Sequence, residues 1–190
     1  MSSLGHNLKV LMPLADGVEE MEAIIMLDVF RRVPWMVSSA SLKPGPVTTA
    51  HGVRLMPDVL WSDIDPAAFD LLAIPGGQAG TAALVADARI LAAVRAFAQA
   101  AKWIAAICAG PLVLEAAGVL AGRRATCHPA VPLTQLRRLP DRVVLDGKIA
   151  TSQGPGSTLE FALKIVDAIA GYARAAALAE AMVVAQPARP

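Results

Sequence analysis

Cys108 stands where a short apolar run meets the start of a helix. Trp103-Ile104-Ala105-Ala106-Ile107 has β-formers at both ends and reads as a buried strand. Gly110 breaks the run, Pro111 suits the first position of a helix, and Leu112 to Ala117 continues it. A thiol on such a turn faces free backbone N–H groups. These favour the thiolate, which predicts a depressed thiol pKa, and they suit an oxyanion on a substrate carbonyl. The arrangement follows the nucleophile elbow of α/β hydrolases, with sulfur in place of oxygen. On these residues alone, a cysteine that merely packs as a small hydrophobe fits as well.

The elements that would position this turn follow an alternating plan. Leu8 to Pro13 reads as a strand, Ala15-Asp16-Gly17 as a turn, and Glu19 to Val33 as a helix. Acidic Glu19, Glu20 and Glu22 suit the start of that helix, and Arg31-Arg32 suits its end. Trp35 to Ala40 is a second strand, which completes a βαβ unit and implies a largely parallel sheet. Val47-Thr48-Thr49 and Val53 to Met56 form a hairpin-like excursion from the main sheet. Phe69 to Ile74 is a strand ended by Pro75-Gly76-Gly77-Gln78-Ala79-Gly80, and Asp87 to Ala101 is a helix with Ile90, Leu91, Val94 and Phe97 in one stripe.

Beyond the elbow, Arg124 to Cys127 reads as a short strand stopped by His128-Pro129. Val143 to Leu145 and Ile149 to Thr151 flank the turn signal Asp146-Gly147. Ser157-Thr158-Leu159-Glu160 reads as a capping box opening a helix that ends at Gly171, and Arg174 to Met182 as a last helix. Such alternation predicts a three-layer α/β sandwich, with ligands beyond the carboxyl ends of the strands. Asp16 to Glu22, Gly76-Gly77 and Cys108 all fall at that edge.

The 190 residues suit one domain, with residues 1–7 and 186–190 frayed. A net charge of +1 and an aromatic content of only 4% exclude a basic or stacking surface for nucleic acid. Charged and polar residues such as Arg95, Lys102, Arg174 and Glu180 interrupt the apolar stretches, so no membrane span is expected. Two cysteines without framework spacing point to a reducing compartment, the cytoplasm, rather than to a Cys108–Cys127 disulfide. Histidines and cysteines lack metal-ligand spacing, so no metal is expected. His6 is uninformative, and Cys127 reads as core or pocket lining.

The chain resembles the ThiJ/PfpI superfamily, in the branch of the Parkinson-disease protein deglycase and its bacterial homologues. The matching pieces are Leu14-Ala15-Asp16-Gly17-Val18-Glu19-Glu20-Met21-Glu22, Ile74-Pro75-Gly76-Gly77 and Ala105 to Pro111. His128-Pro129 and Thr151 to Gly156, with Glu160 to Leu163, complete the match. The resemblance implies a flavodoxin-like α/β/α sandwich, a homodimer and no required cofactor. It makes Glu22 the carboxyl that pairs with Cys108 and acts as general acid/base. It makes Gly77 and Ala109, beside Gly76, the backbone oxyanion donors, and places His128 near the cysteine. Met21 and Arg31-Arg32 match dimer surfaces of the branch.

Departures narrow the reading. Ala109 stands where the protease and amidase branch has histidine, which argues against peptidase activity. The segment from Pro129 to Val143 is shorter than in the human relative, and it flanks the pocket. His51 falls about where some relatives carry arginine, and Val33-Pro34-Trp35 replaces a glycine-containing turn. The expected function is a cysteine-dependent, glutathione-independent glyoxalase-type hydro-lyase or deglycase acting on methylglyoxal-like aldehydes. The alternatives are a redox sensor or chaperone acting through oxidation of Cys108, and, behind it, an intracellular protease or amidase.

Overall fold

A computed structural model describes residues 7–135 and 137–184. The expectations for His6 and for the frayed termini at 1–6 and 186–190 lie outside the described residues. The elements run β1 (Lys9–Leu14), α1 (Glu20–Arg32), β2 (Met36–Ser41), β3 (Val47–Thr48), β4 (Arg54–Leu55), β5 (Val59–Leu60) and β6 (Leu71–Ile74). Then come α2 (Gln78–Ala86), α3 (Ala88–Gln99), β7 (Trp103–Ile107), α4 (Pro111–Ala116), β8 (Arg124–Ala125) and β9 (Arg137–Arg138). β10 (Val143–Asp146), β11 (Ile149–Ser152), α5 (Thr158–Ala170) and α6 (Tyr172–Ala181) complete the order.

Seven strands form one sheet in the order β10-β11-β7-β6-β1-β2-β5. Every pairing is parallel except the β10–β11 hairpin. Strand residues alternate between two cores, as the pleat requires. Val10, Met12, Leu14, Ala105 and Ile107 pack with Met26 and Phe30 of α1 and Phe161 and Ile165 of α5. Leu11, Ile74, Ile104 and Ala106 pack on the other face with Leu84, Ile90, Val94 and Phe97, and with Val113 and Leu114 of α4. This is the flavodoxin-like three-layer sandwich expected from the alternation.

Several local expectations change. The Gly76–Gly80 stretch does not end in a loop: α2 begins at Gln78, and Gly80 lies inside it. A Cβ on Gly80 would come within 2.7 Å of Val18 N, so the glycine admits the β1–α1 loop rather than breaking the helix. The capping box at Ser157 is absent. Ser157 Oγ bonds Ser152 Oγ (2.7 Å) and the Gly154 carbonyl (2.8 Å), while Glu160 pairs with Arg142 (2.8 Å). The excursion between β2 and β6 holds the expected hairpin, β3 with β4, but β5 returns to the main sheet beside β2. Asp58 fixes that return by accepting from Ser39 N–H (2.8 Å) and Ser39 Oγ (2.7 Å). β9, unexpected from the sequence, pairs in parallel with β8.

Candidate active site

Cys108 follows β7 directly and adopts φ +61°, a left-handed conformation that side chains rarely take. Such a residue costs on the order of 1–3 kcal/mol and persists only where its surroundings hold it. Its N–H donates to the Ser152 carbonyl (3.0 Å), and its carbonyl accepts from His128 N–H (3.1 Å). Gly110 N–H closes the turn onto the Ile107 carbonyl (2.7 Å), and Pro111 opens α4. The elbow therefore forms as its residues imply.

Glu22 approaches from the first turn of α1. Glu19 caps that helix by accepting from Glu22 N–H (2.7 Å), which fixes where the Glu22 side chain departs. Glu22 is fully buried (0% exposed), and its Oε2 accepts from Gly76 N–H at 2.6 Å. Its Oε1 is buried and makes no hydrogen bond of ordinary geometry; Cys108 is the side chain that interacts with the carboxyl.

Gly76 and Gly77 supply the space between these groups. A Cβ on Gly76 would stand 2.7 Å from Cys108 Cβ, 2.8 Å from Glu22 Oε2 and 2.9 Å from Ala109 N. Gly77 has φ +90°, and a Cβ there would meet the Gly17 carbonyl at 2.2 Å. Close approach, not turn flexibility alone, makes both positions glycine. The N–H groups of Gly77 and Ala109 both stabilise charge on the Cys108 sulfur.

The thiol pKa runs opposite to the sequence expectation. Burial, then the charge and hydrogen bond of Glu22, push Cys108 up to about 12, against the N–H groups of Ala109 and Gly77. The helix beyond it is only six residues long, too short to outweigh burial beside an acid. Burial likewise raises Glu22 to about 7, helped by the charge of Glu19 and opposed by Gly76 N–H and Cys108. Above about 7 the pair therefore rests with its charge on Glu22 and its proton on Cys108, and burial disfavours ionising both.

His128 is brought beside Cys108 through its backbone. Its exposed ring takes a different partner: Nδ1 accepts from Ala130 N–H (3.2 Å), which leaves the ring proton on Nε2. Cys127 is buried (1% exposed) and both cysteines are free. Met21 is 51% and Ile24 44% exposed on α1, whereas Arg31 and Arg32 pair with Asp58 (2.6 Å) and Asp28 (2.7 Å) of this chain. Among the described residues, Glu19, Glu20 and His51 offer ligand atoms within 4.8 Å of one another. One Glu19 oxygen is already taken by the helix cap, and the His51 side chain is 73% exposed. A cleft of about 410 Å³ between α2 and α4, lined by Gln78, Thr81, Val85 and Leu112, excludes Cys108, Glu22 and His128.

Residues 8–168 match the DJ-1/PfpI family. The chain belongs to the DJ-1/PfpI family. It is 38% identical over 180 residues to protein DJ-1 homolog B of Arabidopsis thaliana, covering 93% of this chain and 41% of that protein. It thus spans less than half the length of that DJ-1 relative. It is 39% identical over 166 residues to a glutathione-independent glyoxalase, DJR-1.2, of Caenorhabditis elegans, covering 85% of this chain and 88% of the relative. The crystal structure of Drosophila melanogaster DJ-1beta superposes with a TM-score of 0.91 at 34% identity, covering 95% of this chain and 100% of that one. Among the described residues no helix is long and apolar enough to cross a membrane.

Sequence reasoning missed two contributors within this DJ-1/PfpI site. Glu19 reads as one of three acids suited to a helix start, and its cap bond to Glu22 and its charge beside that carboxyl give it a task. Ser152, buried at the end of β11, offers the carbonyl that holds the Cys108 N–H. A strand register is needed to see that.

Proposed function

We propose that this protein converts α-oxoaldehydes of the methylglyoxal class into 2-hydroxy acids without glutathione, using Cys108 as its own thiol. The observation that carries the reading is the convergence of a strained Cys108, the N–H groups of Gly77 and Ala109, and a buried Glu22 whose carboxyl interacts with Cys108. The relative named a glutathione-independent glyoxalase supports it.

The resting pair is an anionic Glu22 beside the Cys108 thiol. The sulfur adds to the aldehyde carbon as Glu22 takes its proton, and Glu22 then gives that proton to the new alkoxide, leaving a hemithioacetal and an anionic Glu22. The anionic Glu22 then moves the C1 proton to C2, so C1 is oxidised as C2 is reduced. The N–H groups of Gly77 and Ala109 stabilise the oxyanion or enediolate, and the Nε2–H of His128 is a further donor from the solvent edge. Water hydrolyses the thioester, releasing the 2-hydroxy acid and restoring the thiol. No external oxidant is consumed. Deglycation of aldehyde-modified proteins is a variant of the same chemistry, because early adducts return free aldehyde.

A soluble cytoplasmic homodimer of one-domain chains, meeting through the α1 face that exposes Met21 and Ile24, completes the reading. A second reading draws on the contrast between partly exposed Cys108 and buried Cys127. Peroxide would then oxidise Cys108 selectively and make it a redox sensor. Lactate production from methylglyoxal without glutathione separates the two. Turnover by wild type that is lost in Cys108→Ala supports the enzyme; no turnover by folded protein with a titratable Cys108 favours the sensor.

A further inference from the structure

The turn that carries His128 is held from two sides. Val131 N–H donates to the His128 carbonyl (2.9 Å) and closes the turn over Pro129. His128 N–H reaches back to the Cys108 carbonyl (3.1 Å). On the other side stands Arg138. Its Nη2 donates to the carbonyls of His128 (2.6 Å) and Cys127 (3.3 Å), and its Nη1 donates to the carbonyl of Val131 (3.2 Å). One planar guanidinium thus gathers three carbonyls whose negative ends would otherwise face one another unscreened. A fork of fixed N–H groups suits that task, and a single ammonium does not.

β9 delivers Arg138 to this place. Ala125 pairs with Arg138 in the β8–β9 ladder, and Leu139 N–H donates to the Ala125 carbonyl (2.9 Å). β8 ends two residues before Cys127 and three before His128. Two nearby arginines are committed to acids: Arg124 pairs with Asp146 (3.3 Å) and Arg142 with Glu160 (2.8 Å). Among the described residues Arg138 forms no ion pair, and its hydrogen bonds all go to main-chain carbonyls.

We propose that Arg138 is a positioning residue: its guanidinium clamps the Cys127–Val131 turn and thereby fixes the His128 ring on the peptide whose N–H bonds the Cys108 carbonyl. The inference rests on the donor role given to His128 above. Arg138 hydrogen-bonds neither Cys108 nor Glu22, so its influence passes through the turn. Removing it leaves three carbonyls without their shared donor and loosens the peptide that bonds the elbow.

The test compares kcat and KM for methylglyoxal in wild type, Arg138→Ala, Arg138→Lys, His128→Ala and the Arg138→Ala/His128→Ala double variant. Misplacing the donor lowers kcat about 10- to 100-fold in Arg138→Ala with KM little changed. Lysine fails to restore it, and Arg138→Ala adds no further loss once His128 is gone. Equal losses in both backgrounds, or full rescue by lysine, overturn the proposal. Amide exchange at His128 and Val131 provides a readout independent of turnover. Exchange faster by about tenfold in folded Arg138→Ala and Arg138→Lys supports the clamp, and unchanged protection overturns it. Faster exchange with no turnover even in wild type refutes the aldehyde chemistry while leaving the clamp standing.

Discussion

Two regions meet at Cys108 and are built on different principles. On one side, Glu22, Gly76 and the elbow form a buried centre held by backbone geometry: a 2.6 Å bond from Gly76 N–H, a left-handed Cys108, and glycines with no room for a methyl group. On the other side, a largely exposed rim around Arg124, His128, Arg138 and Arg142 is held by arginine side chains on carbonyls and acids. A single added atom breaks the first kind of region. The ion pairs of the second kind tolerate substitution with little loss of stability, because exposed pairs contribute little. The proposed chemistry falls in the rigid region.

The strongest test of this contrast is chemical. Cys108→Ala reduces lactate formation to background, and Glu22→Gln lowers kcat about 100-fold or more, within the usual range for losing a general acid/base. Cys108→Gly is equally inactive but more stable than Cys108→Ala by about 1 kcal/mol in urea unfolding, because glycine takes φ +61° without strain. Equal stability of the two variants would show that the elbow is not strained.

Gly76→Ala probes the same region by space alone. The new Cβ meets Cys108 Cβ and Glu22 Oε2 under 3 Å. Activity falls at least as far as in Glu22→Gln, and overpacking costs about 1–3 kcal/mol of stability. An active Gly76→Ala would remove the geometric basis of the pairing.

A third prediction concerns pH. Burial raises Glu22 from an ordinary 4.5 to about 7, so the folded state holds a proton that the unfolded state has released. The stability contribution is fully present below about 4.5 and falls as pH rises to about 7. The loss is about 3 kcal/mol, and Glu22→Gln flattens this part of the stability profile. Identical profiles for the two proteins would contradict the raised value. The smallest effect belongs to the rim: Arg124→Ala, whose side chain is 54% exposed, costs at most about 1 kcal/mol in urea unfolding. A larger loss would show that the rim is not built from independent weak contacts.

The same contrast explains what could be read from the residues. Trp103 to Pro111 carries its elbow in local signals, a β-forming run followed by Gly110 and Pro111, and the structure repeats it. The parallel sheet followed from strands alternating with helices. Gly76 and Gly77 were visible as a turn, but the reason for them lies in Cys108, Glu22 and Gly17, all distant in sequence. The thiol pKa was misjudged because burial and a neighbouring carboxyl are tertiary facts, whereas only the helix start is local. Gly80 hid α2, since a glycine inside a helix looks like a break until Val18 is seen against it. Arg138 left no signal, because a two-residue parallel strand has no periodicity to detect.

The central claim is that Glu22 accepts the Cys108 proton and so lets a buried thiol react at neutral pH. It is tested most directly by the iodoacetamide alkylation rate of Cys108 from pH 5 to about 11, for wild type and Glu22→Gln, each carrying Cys127→Ala. The account predicts that the wild-type rate rises with a midpoint near 7 as Glu22 ionises and becomes a base for the thiol, and that this step is missing in Glu22→Gln. Superimposable profiles, or a wild-type midpoint at the ordinary thiol value of about 8.5, would contradict it.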